Sequence, residues 1–218
     1  QKPIVYLISG QGSDERIFSE IPWDTSHYDV QYIPFIIPNR RETMNGFAHR
    51  MSQSIDTSRF FLLVGVSLGG MVCSEMKTFL NPEKVILISS AKCRGELPLR
   101  YRFQRYLPIY GLVPKRAIKW GAQIAQPIVE PDRKVKKDVF KAMLKAKNPT
   151  FLKRSIRMIV NWNKPKADSE IIHIHGDSDH TLPYRRIANS IPVENGSHMM
   201  TLTRSEEVSA ILTEFLPQ

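Results

Sequence analysis

Short, continuous apolar runs recur along the chain and alternate with amphipathic segments. The runs occupy residues 4–8, 30–37, 60–66, 85–88, 171–174 and 191–193. Such runs are typical of strands that are buried on both faces of a parallel sheet. Two intervening segments place apolar residues at helical spacing, namely Met44, Phe47, Ala48, Met51 and Ile55, and Leu68, Met71, Val72, Met76 and Phe79. The alternation predicts an α/β fold with a mostly parallel sheet of about six strands between two layers of helices.

The C-terminal helix has the clearest predicted start. Thr203 and Glu206 have the spacing of a capping box, in which each side chain satisfies a backbone N–H group of the first turn. Apolar residues follow at helical spacing, namely Val208, Ile211, Leu212 and Phe215. We therefore predict a helix that begins just after Thr203.

Residues 91–170 interrupt the alternation of strands and helices. Helical patterns are centred on residues 102–107, 116–124, 133–147 and 151–162, no convincing strand lies among them, and the strand series resumes at Ile171. We therefore predict a core domain of residues 1–90 and 171–218, with a helical cap inserted at residues 91–170.

Ser67 stands at the junction between an apolar strand and an amphipathic helix, within Gly65-Val66-Ser67-Leu68-Gly69. A serine at a sharp strand-to-helix turn is exposed for nucleophilic attack, and small residues two positions before and after it relieve the crowding at the turn. The helix N-terminus behind the serine also favours negative charge. This pattern predicts that Ser67 is a nucleophile.

A serine nucleophile needs a general base and a carboxylate that orients the base. His198 follows the last short strand, whereas Asp177 and Asp179 follow the strand before it. Open α/β sheets place their functional sites at the carboxyl ends of the strands. His198 is therefore the candidate base, and either Asp179 or Asp177 is near enough along the chain to be the acid.

Taken together, these motifs resemble the α/β-hydrolase family, which has a nucleophile elbow, an acid and a histidine in that order along the chain. Ser67, Asp179 and His198 reproduce this order, and His175-Gly176-x-x-Asp179-x-x-x-Pro183 is similar to the family's segment after its penultimate strand. This match favours Asp179 over Asp177 as the acid of a catalytic triad. The resemblance covers the sheet-forming portions of the chain, Pro3 to Ser90 and Ile171 to Leu216.

The resemblance implies a fold, an oxyanion hole and a reaction. The fold is a three-layer α/β-hydrolase fold of reduced size, because the chain begins at the strand before Ser9-Gly10-Gln11-Gly12 and the family's two leading strands have no counterpart. Ser9 replaces the usual histidine of this loop, and the backbone N–H groups of Gln11 and Leu68 are the implied oxyanion hole. The implied enzyme is a serine carboxylesterase or thioesterase that acts through an acyl-enzyme and needs no cofactor.

The cap carries all of the excess positive charge. The chain has a net charge of +10, whereas residues 91–170 contain twenty Lys or Arg and six Asp or Glu, a net charge of +14. We expect a small-molecule acyl substrate, and an anionic one if this charge steers it to the site. The pattern at residues 133–147 is a basic amphipathic helix, a type that also lies on anionic membranes. No recognised nucleic-acid motif accompanies the charge, so we expect no nucleic-acid partner.

Two other functions follow less directly from the sequence. The same scaffold can serve as a non-catalytic binding module, with the basic cap holding anionic ligands or surfaces. A metal site is the second alternative, because residues 173–180 partly match the His-x-His-x-Asp-His ligand run of metallo-β-lactamase-type hydrolases. Three residues rather than one separate His175 from the pair Asp179 and His180, so we expect no metal.

The apolar runs and the cysteine content of the chain bear on the cellular compartment of the protein. Hydrophobic residues make up 42% of the 218 residues, but no apolar run approaches the roughly 18 residues that span a bilayer. Cys73 and Cys93 are too few for a disulfide framework or a zinc site. Reduced thiols favour a cytoplasmic protein, although a sequence that starts at Gln1 leaves the earlier removal of a signal peptide open.

Overall fold

A computed structural model describes residues 2–114 and 136–217. Within these residues six strands form one sheet: β1 (Ile4–Ile8), β2 (Asp29–Tyr32), β3 (Phe61–Val66), β4 (Lys84–Ile88), β5 (Ile172–Gly176) and β6 (Ile191–Val193). The strand order is β2-β1-β3-β4-β5-β6, and every neighbouring pair is parallel. The predicted six-stranded α/β sheet is therefore confirmed.

Helices cover both faces of the sheet. They are α1 (Met44–Met51), α2 (Leu68–Met76), α3 (Leu99–Phe103), α4 (Lys137–Ala146), α5 (Pro149–Val160), α6 (Met200–Thr203) and α7 (Ser205–Phe215). Successive strand residues point to opposite faces, so Tyr6 and Leu63 pack into the apolar cluster that contains α1 and α2 residues. Val5 and Val64 pack into the cluster that contains α7 residues. Burial on both faces explains why β1, β3 and residues 85–88 of β4 are continuous apolar runs.

The edge strand β2 is shorter than its apolar run predicts. Only residues 29–32 pair with β1, and the side chains of Ile36 and Ile37 are exposed. Pro34 has no N–H group to donate to the sheet, and the chain leaves β1 after the Ile33 N–H group donates to the Leu7 carbonyl. An apolar run alone does not reveal where this pairing ends.

The predicted capping box at the C-terminal helix is wrong. Thr203 is the last residue of α6, and Arg204 is the N-cap of α7 without a side-chain capping bond. The hydroxyl of Thr203 is buried without a hydrogen-bond partner among the described residues. Met200 and Leu202 are buried in the core, and their burial favours an extra helical turn ahead of α7.

Between β4 and β5 the described residues form α3, α4, α5 and two 3₁₀ turns, Arg94–Glu96 and Ile109–Gly111. The helical pattern predicted at residues 116–124 and the first part of the pattern at residues 133–147 lie outside the described residues. Trp162, which follows α5, is buried and donates its indole N–H to Glu75 of α2 at 2.6 Å. This contact holds α5 against the core.

Two further observations bear on the sequence-based expectations. No helix in the described parts of the chain is long and apolar enough to cross a bilayer. Cys73 and Cys93 are both buried and form no disulfide. Burial raises the pKa of the Cys73 thiol, which makes this thiol a poor nucleophile.

Candidate active site

The turn from β3 into α2 holds Ser67 in a strained backbone conformation. Its φ is 53° and its ψ is −117°, a combination that non-glycine residues rarely adopt. The Ser67 N–H group donates to the Ile88 carbonyl at 3.0 Å, and the Ser67 carbonyl accepts from the Ser90 hydroxyl at 2.6 Å. Only a glycine fits at position 69, because a Cβ atom there would lie 2.1 Å from the Ile8 carbonyl oxygen. These contacts fix the Ser67 hydroxyl at the carboxyl edge of the sheet.

Ser67, His198 and Asp179 form a continuous chain of hydrogen bonds. Nε2 of His198 lies 2.9 Å from Oγ of Ser67, and Nδ1 of His198 lies 2.8 Å from Oδ2 of Asp179. The acid follows β5 and the histidine follows β6, and these two strands are neighbours in the sheet. The geometry fits a neutral imidazole whose Nδ1–H group donates to the carboxylate and whose Nε2 accepts the serine proton.

Asp179 is buried and surrounded by N–H groups. Its Oδ1 accepts from the backbone N–H groups of Thr181 and Leu182, each at 2.8 Å, and its Oδ2 also lies 3.3 Å from Nε2 of His175. Burial alone would raise the pKa of Asp179, but the neighbouring His198 and these hydrogen bonds lower it below its usual value. Asp179 is therefore ionised at neutral pH and can stabilise positive charge on the imidazole of His198.

The alternative acid, Asp177, and the candidate metal ligands, His173 and His175, form hydrogen bonds with residues outside the predicted triad. Asp177 is exposed, and its Oδ1 accepts from the Ser178 hydroxyl at 2.9 Å. The two strand histidines contact each other, with Nδ1 of His175 at 3.2 Å from Nε2 of His173. The described residues hold no group of three or more His, Cys, Asp or Glu side chains placed to bind a metal ion. Of the two candidate acids, Asp179 is the one bonded to the candidate base.

The implied oxyanion-hole donors lie at the start of α2 and in the hydrogen-bonded loop after β1. Leu68 is the first residue of α2, and helix geometry leaves its N–H group without an intrahelical acceptor. Gln11 follows β1 in a loop in which the Ser9 hydroxyl donates to the Ser13 carbonyl and the Ser13 hydroxyl accepts from Gly10 N–H. Neither the Gln11 nor the Leu68 N–H group donates to another described residue, so both are free to bind an oxygen of a ligand.

A cavity of about 190 Å³ lies beside Ser67 and His198. The described lining residues include no Asp, Glu, Lys or Arg, and its apolar walls are built by Met71, Phe140, Leu144, Ile159, Leu182 and Met199. The helices α4 and α5 supply three of these side chains. Such a lining favours an apolar group.

Sequence reasoning missed two contacts that hold the site in place. The Gln11 side-chain amide donates to the Ser155 hydroxyl of α5 at 2.7 Å, which ties the loop after β1 to the helices between β4 and β5. His175 contacts Oδ2 of Asp179, the same oxygen that His198 contacts, and burial lowers the pKa of His175. The alternation of His173 and His175 places both on one face of β5, but the sequence does not show what that face contacts. No sequence signal connects Gln11 with Ser155.

No protein-family model and no curated protein matches the sequence. Among solved structures, an enol-lactonase from Burkholderia xenovorans LB400 is similar with a TM-score of 0.75 and 13% identity, over 99% of this chain and 91% of that chain. A thermophilic esterase from Thermogutta terrifontis has a TM-score of 0.71 and 14% identity, over 99% and 89%. MenH from S. aureus has a TM-score of 0.70 and 14% identity, over 99% and 94%.

These similarities extend over 99% of the chain. At identities of 13% to 14%, they concern the arrangement of helices and strands and not the reaction of any one neighbour. The chain therefore has the α/β-hydrolase fold that its sequence motifs predicted.

Proposed function

We propose that the protein is a serine hydrolase that cleaves carboxylic esters or thioesters through a Ser-His-Asp triad. The observation that carries the proposal is the hydrogen-bonded chain from Ser67 through His198 to Asp179, with distances of 2.9 and 2.8 Å. Each member has the environment that its role requires: a strained serine at a helix start, a histidine in contact with it, and a buried, ionised acid.

In the first half of the proposed reaction, Oγ of Ser67 attacks the acyl carbonyl carbon. The hydroxyl proton moves to Nε2 of His198, and Asp179 stabilises the imidazolium through Nδ1–H. The carbonyl oxygen becomes an oxyanion that accepts from the N–H groups of Gln11 and Leu68. The bond to the leaving group then breaks, and Nε2 returns its proton to the departing alkoxide or thiolate.

In the second half, water replaces the leaving group. Nε2 of His198 takes one proton from the water, and the remaining hydroxide adds to the acyl carbon of the acyl-enzyme. The bond between the acyl carbon and Oγ of Ser67 breaks as the serine regains a proton from Nε2. The products are a carboxylic acid and an alcohol or thiol, and no cofactor takes part.

The cavity supports an apolar acyl group of modest size. Its walls are apolar, and the described lining residues contain no cation. Two structural neighbours are an esterase and an enol-lactonase by name, and both names concern ester bonds. The sequence-based expectation of an anionic acyl group stays a prediction, which a comparison of neutral and anionic esters at several salt concentrations tests.

Replacement of the candidate nucleophile tests the proposed function. We expect Ser67→Ala to lower turnover of p-nitrophenyl butyrate by a factor on the order of 10⁴ or more, because no other group can form the acyl-enzyme. The matched control is Ser178→Ala, since the Ser178 hydroxyl bonds to the exposed Asp177 and not to the triad. The control variant should keep the activity of the wild type.

Two measurements complete the test. Intact mass and peptide mapping after treatment with a fluorophosphonate should show a single adduct on Ser67, and melting curves should show that both variants are folded. Turnover retained by folded Ser67→Ala, or an adduct on another residue, contradicts the proposal. A folded wild type that neither reacts nor turns over esters or thioesters favours the non-catalytic binding module instead.

A further inference from the structure

The segment from α3 to residue 112 exposes a cluster of large apolar side chains. More than half of the surface of each is exposed: Leu99, Phe103, Tyr106, Leu107, Ile109 and Leu112. They are six of the nine strongly exposed large apolar side chains in the described part of the chain, and Tyr106 and Leu112 reach 82% and 86% exposure. Isolated exposed apolar residues are ordinary, whereas a cluster of this kind marks a contact surface.

Arginines are interleaved with these apolar side chains. Arg100, Arg102 and Arg105 belong to the same segment, and none of them forms an ion pair with another described residue. A groove of about 580 Å³ is lined by both kinds of side chain, including Arg100, Arg102 and Phe103. The sequence between Glu96 and Glu130 contains no Asp or Glu. We name these six apolar residues and three arginines the apolar-arginine surface.

We propose that the apolar-arginine surface docks the protein onto an anionic lipid surface. Apolar side chains enter the boundary between headgroups and acyl chains, while cations beside them remain among anionic headgroups. Nucleic acid would satisfy the arginines. Nucleic acid would, however, leave aliphatic side chains such as Leu107 and Leu112 without an apolar partner. A lipid surface accommodates both classes of side chain at once.

The surface is adjacent to the candidate active site. On α3, Tyr101 lines the cavity beside Ser67, whereas Leu99 and Phe103 line the outer groove. The guanidinium group of Arg100 donates to the carbonyls of His180 and Thr181, in the loop that carries Asp179. Docking through this surface therefore brings the cavity close to the lipid. The inference concerns binding alone and does not rest on the proposed hydrolysis.

Vesicle flotation with the full chain tests the proposal without any measurement of activity. We expect the wild type to float with vesicles made of equal parts phosphatidylcholine and phosphatidylglycerol, and to stay in the dense fraction with phosphatidylcholine alone. Added salt should weaken the binding, because ions screen the attraction between the arginines and the headgroups.

Two double variants separate the apolar from the cationic contribution. Arg102→Gln with Arg105→Gln removes two charges and should weaken partition onto the mixed vesicles about thirtyfold. Tyr106→Ser with Leu112→Ser removes the two most exposed apolar side chains and should weaken partition more than about tenfold. The single variant Leu112→Ser replaces the latter pair if the double variant melts early.

Matched controls lie at the opposite edge of the sheet, where the strands begin. Phe60→Ser removes an apolar side chain that is 78% exposed just before β3. Lys2→Gln with Lys84→Gln removes two charges whose ammonium groups donate to backbone carbonyls there. All controls should float like the wild type.

Loss of flotation in both sets of variants, with normal melting curves and unchanged controls, supports the proposal. It is overturned if the wild type does not float with either vesicle, or if the variants float as well as the wild type. The proposal is also overturned if immobilised DNA retains the wild type, but not Arg102→Gln with Arg105→Gln, at a salt concentration that releases the wild type from the vesicles. This result would assign the arginines to nucleic acid. None of these outcomes depends on Ser67, so they are distinguishable from a failure of the proposed function.

Discussion

Replacement of Asp179 with Asn keeps the shape of the side chain and reverses the polarity of one contact. Oδ1 keeps its two backbone N–H donors, so the amide NH₂ group takes the place of Oδ2. This NH₂ group then lies where Oδ2 of Asp179 now lies, 2.8 Å from Nδ1 of His198. An amide N–H group there donates to Nδ1, which places the imidazole proton on Nε2. Nε2 of His198 then cannot accept the proton of Ser67.

The expected loss follows from this change of tautomer. In serine-protease triads the equivalent substitution lowers kcat by about 10⁴, which corresponds to about 5 kcal/mol of transition-state stabilisation. The structure adds a cost in stability, because the new NH₂ group also faces Nε2 of His175, which lies 3.3 Å from Oδ2. This nitrogen carries a proton, since it donates to the Leu182 carbonyl at 2.8 Å. Two donors that face each other in a buried site should lower the free energy of unfolding by about 1 to 3 kcal/mol.

Steady-state kinetics with a p-nitrophenyl ester and urea unfolding measure both effects. Asp177→Asn is the matched control, since this carboxylate is exposed on the same loop and should be replaced without loss of activity or stability. A kcat/KM for Asp179→Asn within about tenfold of the wild type refutes the assigned role of the acid. The same result together with an inactive Asp177→Asn would transfer the role to Asp177.

Two further predictions concern stability. Gly69→Ala should destabilise the protein by about 3 kcal/mol or more in urea unfolding, because the added methyl group would clash with the Ile8 backbone. Gly111→Ala is the control and should not destabilise the protein, because the space around its Cβ position is open. Equal effects of the two substitutions would contradict the prediction. Burial lowers the pKa of His173 well below 6.5, and His175 and Lys92 lower it further, so this histidine stays neutral in the folded protein while the unfolded chain takes up a proton. Below pH 6.5 the unfolded state then binds more protons than the folded state. The free energy of unfolding should therefore fall by up to about 1.4 kcal/mol for each unit by which the pH is lowered. His173→Gln should flatten this part of the stability profile, and an unchanged slope would contradict the assignment.

The core of the fold was predictable because its signals are local. β1, β3 and β4 are buried on both faces, so their apolar runs appear in the sequence. β1 occupies the predicted residues 4–8. The capping box failed for the opposite reason. Thr203 and Glu206 have the correct spacing, but burial of Met200 and Leu202 adds a helical turn that moves Thr203 out of the capping position. Tertiary packing decided between two local structures that the sequence permits.

In the candidate site, too, some features were predictable from the sequence and others were not. Ser67 and His198 were predictable, because each stands in a short motif directly after a strand. The contact between Gln11 and Ser155 was not, since it joins residues separated by 144 positions. His175 shows an intermediate case. Its place on β5 could be read from the sequence, but its contact with Asp179 depends on how the following loop turns back.

The net charge of the segment between β4 and β5 does not show where its cations lie relative to the cavity. The positions of the side chains around each helix do show it. On α4, Phe140 and Leu144 line the cavity, and Lys141 and Lys145 on the same helix are exposed. On α3, Tyr101 likewise lines the cavity while Arg100 and Arg102 line the outer groove. Apolar side chains of these two helices thus line the cavity, whereas their cations lie outside it. This arrangement fits the proposed apolar acyl group and the proposed anionic lipid surface.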